Sequence, residues 1–239
     1  MTLVLRFGDV RLYDHDLETV APGEWVGDVI IEFYYEYLER AAFPQLAKQV
    51  QFVQPAVACL LSNAPDAGML AGALPPDLGS KQAVFLPVND STGLEPGGSH
   101  WSLLCFYKPT HTCYYYDSLG SSNLPHAQRT ARALDAVLGH DSPSAFVQID
   151  TPVQVNGFDC GVYVMVITHI LCSRFASRGF DVADKPGDLS GWRLLHNVPH
   201  DLVARRRTEI RELILKMSQA QKAEAQRFAD QRAGGVPRV

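Results

Sequence analysis

From Val162 to Phe175 the chain reads VYVMVITHILCSRF, a run that is apolar on every side when wound as a helix. Its β-branched residues favour a strand by propensity, but fourteen residues are too many for an ordinary strand, so the run is expected to be a helix buried all round. Such a helix needs a core to sit in. At 239 residues, 46% hydrophobic and only 20% charged, the chain can build one, as a single domain or as one domain with an extension.

Short segments rich in aromatic and β-branched residues supply the rest of that core. AVFLPVN (83 to 89), WSLLCFY (101 to 107), TCYYYDS (112 to 118) and AFVQID (145 to 150) read as strands, with Lys108 to His111 as a hairpin turn. Asp28 is placed to N-cap a helix through DVIIEFYYEYLERA, where Ile30, Phe33, Tyr34 and Tyr37 share a face, and QPAVACLLSN reads as a shorter helix. LPHAQRTARALDAVLGH has Pro at its start, apolar spacing at Ala131, Leu134 and Leu138, and a closing Gly139, as a surface helix should. Arg178 to Asn197 turns to Gly, Asp, Pro and Ser and reads as a connecting loop. A long helix follows from Pro199, striped by Leu202, Ile210, Leu213, Ile214 and Met217. The stripe fades near Gln219, which divides the chain into a domain over 1–217 and a solvated extension over 218–239.

Composition narrows the function classes. A net charge of -5 speaks against a nucleic-acid surface or an anionic membrane as the main partner and mildly favours a basic one. The five cysteines are odd in number, form no CxxC pair and lie mostly in apolar segments, so neither a disulfide framework nor a cysteine-rich zinc site is expected. A reducing compartment, cytosol or nucleus, fits them best. The first residues carry acids too early for a signal peptide, and no segment reaches the roughly 18 to 20 consecutive apolar residues of a membrane span.

One cysteine stands apart from the others. Cys160 lies in QVNGFDCGVYV, where Asn156, Gly157, Asp159 and Gly161 form a turn that would place it at a helix N-terminus, a setting that favours a thiolate. Its nucleophilicity requires a base, and the base an orienting group. His100 begins one strand and Asp117 ends the next, so an antiparallel pairing brings both to the same end of the hairpin. Gln154, six residues before Cys160, could fold back to donate beside the Cys160 backbone N–H.

The order His, Asp, then Gln-x5-Cys, in the pieces HWSLL, YYYDS and QVNGFDCGVYV, resembles the ubiquitin-like-protein-specific cysteine proteases, the sentrin or SUMO protease family. GEWVGD near residue 25 looks like that family's Trp-Leu-Asn-Asp motif, with Val26 and Gly27 replacing Leu-Asn. The Gly-rich VNDSTGLEPGGSHWSLL segment is similar to the branch that acts on Nedd-type modifiers. The resemblance implies an α+β cysteine protease fold of the adenain-like clan: a central, mostly antiparallel sheet flanked by helices, acting as a monomer without cofactor or metal. It assigns Cys160 as nucleophile, His100 as base, Asp117 as orienting carboxylate and Gln154 as oxyanion donor. It makes Trp25 and Trp101 the roof of a tunnel for a diglycine end, and Asp28 a contact for the modifier's tail. The implied partner is a Nedd-type modifier and its conjugates, neddylated cullins among them. SUMO or ubiquitin with the same chemistry is the nearest alternative; an acetyltransferase of the same clan and a non-catalytic modifier-binding module are more distant ones.

Overall fold

The computed structural model describes all residues except 65–69, 71, 94–96, 181–197 and 235–239. Beyond Phe180, the connecting stretch read from composition lies outside the described residues.

A hairpin of β1 (Leu3–Phe7) and β2 (Val10–Tyr13) opens the chain, followed by α1 (Asp14–Thr19) and α2 (Asp28–Tyr37). Then come β3 (Val50–Phe52), α3 (Pro55–Asn63), β4 (Ala83–Asn89), β5 (Trp101–Tyr107), β6 (Thr112–Tyr116), α4 (Leu124–Leu138), β7 (Ala145–Ile149), α5 (Cys160–Arg178) and α6 (His200–Gly234). Strands β3 to β7 form one sheet in chain order. It is antiparallel at its centre, across β4–β5 and β5–β6, and parallel at both edges, across β3–β4 and β6–β7. The parallel edges follow from the connections: α3 and α4 each carry the chain back to the end where the preceding strand began.

Alternation along the strands divides the core in two. Ala83, Phe85, Leu103, Cys105, Tyr107, Tyr114 and Tyr116 face α2 and α5, while Val84, Leu86, Val88, Leu104, Phe106, Cys113 and Tyr115 face α3 and α4. Both faces are therefore covered, which is why these strands read as nearly continuous apolar runs. The helix expected from VYVMVITHILCSRF is α5. Among the described helices it is long and apolar enough to cross a membrane, yet it is the core helix, with Val162, Met165, Leu171 and Cys172 at 2% exposure or less.

One expectation needs adjustment. Asp28 is not the N-cap of α2. Gly27 holds that position and donates its N–H to Thr19 Oγ1 at 3.1 Å, leaving Asp28 as the first helical residue, its carboxylate accepting the Val29 N–H. The last helix, α6, runs without interruption to Gly234 and is exposed from 219 to 231, while the Ser218 hydroxyl donates to the Val4 carbonyl at 2.5 Å and Gln221 is bonded to the backbone of Arg6 in β1.

Candidate active site

Strands β5 and β6 pair in a register that sets Leu103 opposite Tyr116 and Tyr107 opposite Thr112. The residues just before β5 and just after β6 therefore emerge together. His100 Nε2 donates to Asp117 Oδ1 at 2.6 Å, with both residues buried. Asp117 also accepts the Leu119 N–H at 2.8 Å on Oδ1, and the Tyr115 hydroxyl at 2.5 Å and the Asn123 N–H at 3.1 Å on Oδ2. Burial pushes this carboxyl's pKa up, but the four donors outweigh it and hold the value below the ordinary one, so the group stays charged.

The same contest, with the opposite sign, sets the imidazole. Burial works against a charged ring, while the hydrogen bonds and negative charge of Asp117 and Cys160 favour it, lifting the His100 pKa to about 9. Asp117 occupies Nε2, which leaves Nδ1 for Cys160; that nitrogen is buried and has no other hydrogen-bond partner in place among the described residues. Cys160 is the first residue of α5 and is 4% exposed. An imidazole held charged beside a thiol at a helix N-terminus is an arrangement for forming and keeping a thiolate.

The turn before Cys160 is built from side chain to backbone. Asn156 Oδ1 accepts the N–H groups of Phe158 and Asp159, and Asn156 Nδ2 donates to Asp159 Oδ2 at 2.8 Å. Asp159 Oδ1 receives Arg207 from α6 through Nε and Nη2, both at 2.9 Å. Arg207 also donates to the carbonyls of Phe158 and Ala21, and its guanidinium lies over the Phe158 ring. It is 3% exposed. Arg207 is an internal strut joining α6, the Cys160 turn and the segment before Trp25. Gln154 is anchored on the residue after Asp117: its N–H donates to the Ser118 carbonyl at 2.9 Å, and its Oε1 accepts the Ser118 hydroxyl at 2.7 Å. Its Nε2 donates to the Asn156 carbonyl at 2.7 Å, so the side-chain amide is fixed above the turn that ends at Cys160.

A cleft of about 470 Å³ lies over these groups, and Trp25, Asp28, His100, Trp101 and Cys160 all line it. Trp101 Nε1 donates to the Val26 carbonyl at 3.2 Å, pinning the segment after Trp25 across the strand start. Gly161 fits beneath this bridge because it lacks a side chain: a Cβ there would lie 2.8 Å from Val26 Cβ and 3.5 Å from Trp101 Cδ1. Trp25 is 54% exposed and Asp28 is exposed at the rim, both free to meet a partner.

Two further residues organise the site and carried no signal in the sequence. Asp90 accepts the N–H groups of Ser99 and His100 and the Ser99 hydroxyl, fixing the backbone that delivers the imidazole. Fully buried Asn123 donates through Nδ2 to the carbonyls of Val88 and His100, while its own N–H holds Asp117. Each joins elements distant in sequence, and no local pattern marks such a residue.

A model of the Ulp1 protease family, C-terminal catalytic domain, matches residues 24–186, a span that includes His100, Asp117, Gln154 and Cys160. The chain belongs to this family. It is a cysteine protease domain. Sentrin-specific protease 8 of Homo sapiens is 36% identical over 175 residues, covering 72% of this chain and 82% of that protein. NEDD8-specific protease 1 of Arabidopsis thaliana is 33% identical over 217 residues, covering 90% and 93%. Among solved structures, the C-terminal Ulp1 protease domain in complex with Smt3, the yeast ortholog of SUMO, matches with a TM-score of 0.67 at 23% identity, over 91% of this chain and 88% of that one. This last likeness is one of fold.

Proposed function

We propose that the domain hydrolyses the peptide or isopeptide bond after the C-terminal Gly-Gly of a Nedd-type ubiquitin-like modifier. The observation that carries the chemistry is the buried His100–Asp117 pair beside Cys160 at the N-terminus of α5. The relatives named as sentrin-specific protease 8 and NEDD8-specific protease support the choice of modifier.

In this reading the Cys160 thiolate attacks the carbonyl of the modifier's last glycine, and the charged His100 gives its proton to the leaving amine. Water, deprotonated by His100, then hydrolyses the thioester. Asp117 keeps the ring oriented throughout and stabilises its charge whenever it carries the proton. The oxyanion is met by the Cys160 backbone N–H and by the Gln154 amide, which has one Nε2 proton left beyond its bond to Asn156. The bridge from Trp101 to Val26, with Trp25 beside it, forms a low roof over the cleft. Residues without a Cβ pass under such a roof and others do not, which selects a diglycine end. Asp28 at the rim is placed to meet a basic residue of the modifier's tail. Conjugates on proteins such as cullins are the proposed physiological substrates.

Vinyl sulfone probes made from Nedd-type modifier, SUMO and ubiquitin, each ending in Gly-Gly, test the assignment. An adduct on Cys160 with the Nedd-type probe, formed much faster than with the other two, is expected. A SUMO adduct without a Nedd-type one would overturn the choice of modifier but not the chemistry.

A further inference from the structure

The turn between β5 and β6 carries a second set of reactive side chains, at the end of the hairpin away from His100 and Asp117. His111 comes from the turn, Asp135 from α4 and His140 from the segment after it, and one donor atom of each lies within 4.8 Å of the other two. His140 Nδ1 donates to Asp135 Oδ1 at 2.9 Å. The two imidazoles have centroids 4.5 Å apart and both pack against Phe106. All three residues are partly exposed, so an ion has a way in.

The three side chains are also held from behind. Asp135 Oδ2 accepts the Ser144 N–H at 3.0 Å, and Oδ1 accepts the Ser144 hydroxyl at 2.5 Å. His111 Nε2 lies 3.2 Å from the Ser142 carbonyl. A carbonyl only accepts, so Nε2 carries the proton and Nδ1 keeps a free lone pair. His111 itself sits at a φ of 50°, uncommon outside glycine, and its carbonyl accepts the Ala145 N–H at 3.0 Å, fixing the turn to the start of β7. Outer hydrogen bonds of this kind orient metal ligands.

We propose that His111, Asp135 and His140 bind one divalent transition-metal ion of the zinc class, with water completing the coordination. Two imidazoles and one carboxylate suit Zn²⁺, Co²⁺ or Ni²⁺ and lack the all-oxygen set that Ca²⁺ or Mg²⁺ requires. The ion would replace the hydrogen bond between His140 and Asp135 and clip the β5–β6 turn to the α4–β7 connection. Strand β5 separates the site from His100 by about 20 Å at about 3.3 Å per residue, so its role is structural.

The decisive experiment is calorimetric titration of Zn²⁺ into the Cys160→Ala protein, a background in which the active-site thiol cannot compete for the ion. One equivalent should bind, and His111→Gln and His140→Gln, each introduced separately, should weaken it by more than about tenfold, since even an outer-shell partner is worth about 10-fold to 100-fold. Thermal melting without metal checks that both variants fold; His111, in a surface turn, supplies the test if His140→Gln does not. Zn²⁺ should raise the melting temperature of the Cys160→Ala protein and not that of the variants. Absence of saturable binding, or an affinity unchanged by both substitutions, overturns the proposal. So does a thiolate charge-transfer band on loading with Co²⁺, because it would assign the ion to a cysteine.

Discussion

At one end of the β5–β6 hairpin, His100 donates to Asp117 at 2.6 Å with the side chains 4% and 0% exposed; at the other, His140 donates to Asp135 at 2.9 Å with side chains 22% and 12% exposed. The residue types are the same and the chemistry is not. At the dry end, Asp117 takes three further donors, so its charge is fixed and the ring it holds is kept protonated up to about pH 9. At the wetter end, Asp135 is oriented, among the described residues, by Ser144 and His140, and a second imidazole stands beside it. Burial with a full set of donors makes a proton-handling pair; partial exposure with free lone pairs makes a place for an ion.

The comparison is broken most directly by removing the proposed nucleophile. Cys160→Ala should abolish turnover of a Gly-Gly modifier substrate in a steady-state assay while leaving the melting temperature close to that of wild type. Asp117→Asn comes next, with an expected loss of about 100-fold to 10,000-fold in kcat, the range spanned by general acid–base catalysis. Arg207→Ala leaves Asp159 charged and unpaired under the Cys160 turn and should destabilise the fold by about 3 to 5 kcal/mol in urea unfolding. The smallest effect belongs to the far end: His111→Gln should change kcat by no more than about twofold, or roughly 0.4 kcal/mol. A loss comparable to that of Asp117→Asn would show that the two ends do not act separately.

The hairpin that brings His100 and Asp117 together was legible because two aromatic-rich strands flank a four-residue turn, and the ends of an antiparallel pair must meet. The turn at Asn156 to Asp159 and the buried helix after it were legible for similar local reasons. Strands β1, β2 and β3, at five, four and three residues, were not. LVLRF and VRLY interrupt their apolar residues with arginine, and a three-residue strand is too short to show a period. The capping position of α2 went to Gly27 and not Asp28 because Thr19, eight residues earlier, takes the Gly27 N–H. The pairing of Arg207 with Asp159 has no local signal, since nothing near Arg207 in sequence announces a partner 48 residues away. The cluster at His111, Asp135 and His140 was hidden for the same reason: its members come from a turn, a helix and a loop, and only the fold gathers them.

The charge on His100 is the point on which the active-site account rests. Its pKa is raised in the folded protein from an ordinary 6.5 to about 9, so the stabilisation it brings is complete below about pH 6.5 and lost as pH rises through about 9. Measuring kcat/KM against pH for wild type and Asp117→Asn tests this directly. The wild-type profile should fall on its alkaline side near pH 9, and that limb should move to lower pH in Asp117→Asn, where the ring has lost its anionic partner. An alkaline limb at the same pH in both proteins would contradict the account.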